Sequence, residues 1–348
     1  MTIQPRVGRG PTTIADVAKL AHVSITTVSH VLSGKRPVAE ATRRRVLEAT
    51  QELNYRPAMT ARGLATGRAM ALGLQFPFEG EQLLLNPYFP AVLESLSAAA
   101  IEAGFTFVLL PARRSEAFPL DILLESQQLD AAIVVDPMDT NDLIPTLRTA
   151  GLPVVTIGRY LGRARTLSVD SDSAGGVREA ILHLAEQGYR RPALISHLTD
   201  RYSYIADIER GFRDAVGQAR IRPIIERAAD LSERAGYDAA IDLLGRRHPP
   251  DAIVAAVERQ AIGVLAAARE LGLRVPQDLG VIGGGNSYLA RAATPSLTSI
   301  DVQPDQQGSA AVELARLAID AAAGQAPSPD SMTIEARLEV RDSTRRRR

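Results

Sequence analysis

From Met70 onward the chain alternates short apolar runs with amphipathic stretches, and that alternation restricts the possible folds more than anything else in the sequence. ALGLQF (71 to 76) reads as a strand, PAVLESLSAAAIEAG (90 to 104) as a helix closed by a C-cap glycine, and FTFVLL (105 to 110) as the next strand. Further strands are expected at AAIVV (131 to 135), PVVTI (153 to 157), PALIS (192 to 196), AIVAA (252 to 256) and LGVIG (279 to 283). Helices fall between them, notably over 175–187, 205–218, 235–244 and 260–271. Strand and helix in turn imply parallel sheets, because a parallel neighbour is reached only through a crossover. At least eight such strands over about 270 residues exceed one core and suit two doubly wound α/β lobes. In that architecture a ligand sits at the carboxyl ends of the strands, which between lobes means a cleft.

The first 70 residues follow another pattern. In TIADVAKLAHVSITTVSHVL (13 to 32), Ile14, Val17 and Ala18 share one helix face that Ala21 continues to a bend at His22, Val23 and Ser24. Thr13 is a fair N-cap, and Asp16 suits the positive helix end. A second helix starts at Ser24, with Val28, Val31 and Leu32 as the buried stripe and Ile25, Thr26, Ser29 and His30 facing outward. Small, polar or hydrogen-bonding side chains of that kind can enter a major groove, so the stretch reads as a helix-turn-helix; the plainer alternative is a helical hairpin. Lys35 and Arg36 occupy a breaker where a loop would cross a phosphate backbone. A third helix over 40–53 turns Val46, Leu47, Ala49 and Leu53 inward and Arg43, Arg44 and Arg45 outward. Residues 12–57 thus form an all-α headpiece closed by Pro57. Residues 58–68 form a hinge helix or linker, too short to be a stable helix unless it packs on DNA or a partner copy.

The formal net charge of zero conceals an asymmetry. Residues 1–68 carry eleven Lys or Arg against four acids, a charge of +7, so the remainder carries −7. A basic module on an acidic body indicates that the first segment meets a polyanion and the body does not. The terminal Arg345–Arg348 offer a second phosphate contact or, more simply, a solvated tail. Cysteine is absent, which removes disulfides and thiolate metal sites and fits a reducing compartment. No run reaches the roughly 18 apolar residues of a membrane helix and no signal peptide is evident, so a soluble, cytoplasmic, nucleoid-associated protein is expected.

Catalytic motifs are missing. Gly283, Gly284, Gly285 and Asn286 after a strand match neither a P-loop nor G-x-G-x-x-G and read as a turn. The five histidines show no metal spacing, and no G-x-S-x-G occurs. No enzyme activity, cofactor or metal is expected.

At this point the chain resembles the lactose/galactose repressor (LacI/GalR) family of transcription regulators, from about Thr12 to Thr344. Beside the helix-turn-helix, the likeness is carried by EATRRRVLEATQELNYRP, ARGLATGR, NPYF (86 to 89), HLAEQGYRRPALIS (183 to 196), ERGFRDAV (209 to 216), GLRVPQDLGVIG (272 to 283), PSLTSID (295 to 301) and LEVRDST (338 to 344). The resemblance implies a headpiece, a hinge helix and a two-lobed periplasmic-binding-protein-like core over 70–344. The chain would cross between lobes near residues 170, 295 and 330, making lobe 1 from 70–169 and 296–329 and lobe 2 from 170–295 and 330–344. It further implies a repressor that binds a near-palindromic double-stranded DNA operator as a homodimer, or a tetramer, and answers to a small effector. The alternatives are a solute-binding module and a nucleotide-using enzyme. The basic headpiece and missing signal peptide count against the first, and the missing motifs against the second.

Carried over position by position, the DNA-binding residues of the second helix are Ser24, Ile25, Thr26, Thr27, Ser29 and His30, with bases read chiefly by Ile25, Thr26, Ser29 and His30. Thr13, Lys35, Arg36, Thr42 and Tyr55 join them at the same interface, and Leu64, with Ala65 beside it, matches a leucine that the family wedges into the minor groove. Members commonly carry arginine at the position of His30; histidine has fewer ring donors, which implies a different base preference. Tyr88, Phe89, Arg114, Arg159, Tyr204, Ile208, Glu258 and Asn286 are expected around the effector. Sugar-binding members place charged or polar groups where this chain has Gly158, Ile208, Val257 with Glu258, and Gly285 with Asn286. Unpaired sugar hydroxyls cost about 1–3 kcal/mol each when buried. The lining therefore points to a carbohydrate-related ligand or a small organic acid, less hydroxylated and anionic or aromatic, with Arg159 and Arg114 as cations. If the register is off by a residue or two, Asp172, Asp207 or Asp301 serves instead.

Overall fold

A computed structural model describes residues 12–33, 36, 38–53, 55, 68–77, 84–112, 120–198 and 201–346. The chain divides into two compact units, residues 1–70 and 71–348.

The first unit holds α1 (Ile14–Leu20), α2 (Ile25–Ser33) and α3 (Glu40–Glu52). Thr13 closes a capping box: its hydroxyl accepts from the backbone N–H of Asp16, whose carboxylate accepts the Thr13 N–H at 2.8 Å. Those bonds to Thr13 hold the Asp16 carboxyl below its ordinary value. The bend after α1 is made by His22 in the left-handed region (φ 53°), which brings the Val23 N–H onto the carbonyl of Ala18 at 3.0 Å. Ser24 starts α2, its hydroxyl accepting from the Thr27 N–H at 3.0 Å. Val17, Ala18, Ala21, Val28, Val31, Val46 and Ala49 make one small core. Two expectations fail here. Leu47 is 46% exposed, and Tyr55, expected at DNA, is only 8% exposed because it supplies the aromatic bulk that a core of valines and alanines lacks.

In the second unit the first sheet has the order β11-β5-β4-β3-β1-β2 and is parallel throughout. Its strands are β1 (Ala71–Gln75), β2 (Thr106–Leu110), β3 (Ala131–Val135), β4 (Val154–Ile157), β5 (Leu167–Ser171) and β11 (Met332–Ile334). The second sheet, β12-β10-β9-β8-β6-β7, contains β6 (Pro192–His197), β7 (Ile224–Ala228), β8 (Ala252–Ala255), β9 (Gly280–Gly284), β10 (Thr298–Asp301) and β12 (Arg337–Glu339). It is parallel except for β12. Central strands such as β1, β3 and β8 are buried along their whole length, which is why they read as unbroken apolar runs.

The helices are α4 (Tyr88–Ala103), α5 (Leu120–Glu125), α6 (Leu143–Thr149), α7 (Ser173–Glu186), α8 (Ser203–Gln218), α9 (Glu233–Leu244), α10 (Glu258–Glu270), α11 (Tyr288–Ala292) and α12 (Pro304–Ala322). Gly104, in the left-handed region (φ 79°), ends α4 as the sequence indicates. Helices α7 and α8 approach closely at Gly211, where a Cβ would lie 2.5 Å from the carbonyl oxygen of Ala174.

Strand membership moves two of the expected crossings. The chain leaves the first sheet after β5, close to the expected 170. However, β10 pairs with β9, so the return comes after Asp301 and not near 295. Likewise β11 pairs with β5, so the last crossing follows Ile334 and not 330. Sheet hydrogen bonds fix these boundaries. A strand of three or four residues carries too little pattern to reveal its partner. No helix among the described residues is long and apolar enough to cross a membrane.

Candidate functional site

The carboxyl ends of both sheets of the second unit open onto one cleft, with about 890 Å³ of empty space including its mouth. From the first lobe come Asp136 after β3, Gly158 after β4, and Asp170 and Ser171 at the end of β5. From the second come Tyr204 and Ile208 on α8, Glu258 at the start of α10, and Gly284 and Gly285 at the end of β9. Tyr88 closes one side, its hydroxyl donating to Gln307 at 2.6 Å.

Arg159 does not present a free cation to this cleft. Its guanidinium pairs with Asp170 at 3.0 Å and with Asp207, on α8, at 2.5 Å. It thus ties the two lobes, and its backbone N–H donates to Ser203 of the second lobe at 3.0 Å. Asp207 is also paired with Arg210 at 2.7 Å. Arg259, a further lining residue, is held by Glu233 through two bonds of 2.8 and 2.6 Å. Glu258 lines the cleft, but its carboxylate already accepts from the N–H and hydroxyl of Ser287 and from Ser299.

Two other expectations fail. Phe89 is only 2% exposed and packs edge-on against Phe76 and Tyr88, with ring centroids 6.0 and 5.3 Å away; its helix face points into the core, not the cleft. Asn286 braces the second lobe instead of lining the cleft. Its amide donates to Asp301 at 2.9 Å and accepts from Arg341 at 2.5 Å. The register alternatives are likewise committed: Asp172 caps α7 by accepting from Gly175, Asp301 accepts from Asn286 and Gln303, and Asp207 holds its arginines. Arg114, Lys35, Leu64 and Ala65 lie outside the described residues.

The residue missed from the sequence is Asp136. It is half-buried, and among the described residues its carboxylate has no hydrogen-bond donor. Burial, with Asp170 nearby, pushes its carboxyl up to about 7. Burial also raises Asp170, against the opposing pull of Arg159. The phenols of Tyr88 and Tyr204 are pushed well above their ordinary value by burial and then by Asp136, and Tyr202 goes up to about 12 for the same reasons. Gly158 makes room for this carboxylate: its φ is +84°, and a Cβ there would stand 3.2 Å from Asp136 Oδ1. One signal was available, since Asp136 follows directly on the apolar run AAIVV, at the end of a strand.

On the headpiece, Ile25 is 50% exposed, Thr26 and Arg36 are exposed, and Ser29 and His30 are half-buried. The start of α2 therefore offers a short, mostly uncharged outer face. Arg43, Arg44 and Arg45 are exposed on α3, and Thr42 is half-buried beside them. Thr13, Ser24 and Thr27 are partly engaged in the caps described above.

A model of bacterial regulatory proteins of the lacI family matches residues 13–58, and one of the periplasmic binding protein-like domain matches residues 181–344. The HTH-type transcriptional regulator CelR of Thermobifida fusca is 33% identical over 338 residues, covering 95% of this chain and 98% of its own. The HTH-type transcriptional repressor PurR of Serratia proteamaculans is 33% identical over 307 residues, covering 85% and 87%. Among solved structures, the CelR–cellobiose complex superposes with a TM-score of 0.71 at 30% identity, covering 95% of this chain and 99% of the other. The lac repressor dimer bound to operator and the anti-inducer ONPF gives 0.74 at 25%, covering 96% and 99%.

Proposed function

Because the chain belongs to the lacI family of bacterial regulatory proteins, which are DNA-binding transcriptional regulators, we propose that it represses transcription from a near-palindromic operator as a homodimer. A small polar effector in the inter-lobe cleft switches it. The observation that carries the second statement is the cleft itself, whose walls come from both lobes, so that a ligand bridging them favours one lobe arrangement over another. The cellobiose complex of CelR supports a carbohydrate-related ligand. The paired state of Arg159 and Arg259 argues against the organic acid that the sequence alone suggested.

DNA reading falls to Ile25, Thr26, Ser29 and His30 on the outer face of α2, with Arg36 and Arg43–Arg45 on phosphates. Leu64 and Ala65 serve the hinge. A single headpiece makes few base contacts, so useful affinity requires two linked copies. Large exposed apolar side chains on the core support a partner copy: Ile101 on α4 is 78% exposed, Leu109 on the edge strand β2 63%, and Ile122 on α5 62%. The test is fluorescence anisotropy and footprinting on the DNA upstream of the protein's own gene. Expected is a two-fold symmetric footprint whose affinity changes with a cleft ligand. An asymmetric footprint, or a monomer in sedimentation at micromolar protein, overturns the dimer. A protein that shows no preference for that DNA over random DNA overturns the repressor.

A further inference from the structure

Among the described residues, the charges around the cleft do not balance. Three carboxylates line it, those of Asp136, Asp170 and Glu258, and Asp207 and Glu233 stand behind as partners of its arginines. Against these five, the guanidinium groups are those of Arg159, Arg210 and Arg259. Each arginine is already in an ion pair, and two carboxylates have no cation. Glu258 is compensated by its three hydrogen-bond donors. Asp136 is compensated by nothing among the described residues.

Another acceptor at the same cleft is also unfilled: the Ser171 hydroxyl oxygen is buried without a hydrogen-bond partner among the described residues, and Tyr204 adds a second hydroxyl to the lining. An ammonium group carries three donors and no acceptor, so a carboxylate with two hydroxyl oxygens matches its needs. The phenol rings of Tyr88 and Tyr204 add faces on which a cation is favoured. A ligand carboxylate or phosphate would instead meet an uncompensated like charge in a half-buried site.

We infer that the effector carries a protonated nitrogen, an amino sugar or a related amine, and that Asp136 is the group that pairs with it. This rests on the cleft being the effector site, and the test separates the two. The full-length protein is titrated calorimetrically with sets of ligands differing only in charge. One set is glucose, glucosamine and glucuronate, another is cellobiose and the glucosamine disaccharide of the same linkage, and a third is butanol, butylamine and butyrate. The expected result is that in at least one set the amine binds about tenfold or more tightly than its neutral counterpart. The anion should not bind, and the preference should disappear in Asp136→Asn. The inference is overturned if neutral members bind as well as the amines in every set, if no amine binds at millimolar concentration, or if the preference survives in Asp136→Asn. The titrations on the parent protein decide the matter even if the variant does not fold. Neutral sugars that bind in the cleft as tightly as their amine counterparts and shift operator affinity would sink the amine while leaving the regulator intact. An amine that binds through Asp136 without altering operator affinity would do the reverse.

Discussion

Replacing Asp136 by asparagine should make the unliganded protein more stable, and only above mildly acidic pH. Burial and the neighbouring Asp170 hold this carboxyl at about 7 against an ordinary 3.8. A carboxyl whose folded value lies above its unfolded value destabilises the fold wherever it is ionised. The penalty is absent below about pH 4, grows as pH rises, and is complete above about pH 7. The full difference corresponds to about 4 kcal/mol at most. Contact with the open cleft screens part of it, leaving about 1–3 kcal/mol. Asparagine keeps the shape and removes the charge, and it also relieves the repulsion that Asp136 exerts on Asp170. At about 2 °C per kcal/mol for a body of this size, Asp136→Asn should melt about 2–6 °C higher than the parent near pH 8. The gap should close as the buffer is taken to about pH 4, where both side chains are neutral. Scanning calorimetry across that range is the assay. A variant no more stable than the parent near pH 8, or a gap independent of pH, would refute the reasoning. A gain in stability alongside a loss of ligand binding is the pattern expected of a site kept unfavourable for the sake of function.

Arg159→Ala should cost about 1–3 kcal/mol of core stability, less than a fully buried pair because the arginine is half-exposed and Asp207 keeps Arg210. Arg159→Lys should recover only part of the loss in thermal melts, since a single ammonium cannot hold Asp170 and Asp207 in the same forked geometry. Thr13→Ala removes the capping box and should destabilise the headpiece by about 1 kcal/mol, visible as faster amide exchange in α1 with the core unchanged. Gly211→Ala places a methyl against the backbone of Ala174 and should cost about 1–3 kcal/mol in denaturant titration; a neutral result would mean that α7 and α8 can separate freely.

Local chemistry, which sequence reports directly, determined the elements. The 3.6-residue period of Ile14, Val17 and Ala18, the caps at Thr13, Ser24 and Gly104, and the fully apolar runs of β1, β3 and β8 depend on neighbours a few residues away, and all appear where the pattern placed them. The rule that ligands lie at strand carboxyl ends located the cleft from the order of strands and helices alone. Which residues face it was a different matter. Whether Arg159 is a free cation depends on Asp170 and Asp207, the latter 48 residues away in sequence, and on their being brought within hydrogen-bonding distance by two different lobes. Tyr55 and Phe89 look like surface aromatics until the cores that need their bulk are assembled. The short strands β10 and β11 exchange lobes because of hydrogen bonds to β9 and β5, and three or four residues of side-chain pattern contain no record of those partners. Asp136 was visible as an aspartate at the end of a strand. That it stands without a counter-charge among the described residues follows only once Asp170 is seen paired with Arg159 and Glu258 bonded to Ser287 and Ser299, and charge compensation is a property of the folded arrangement.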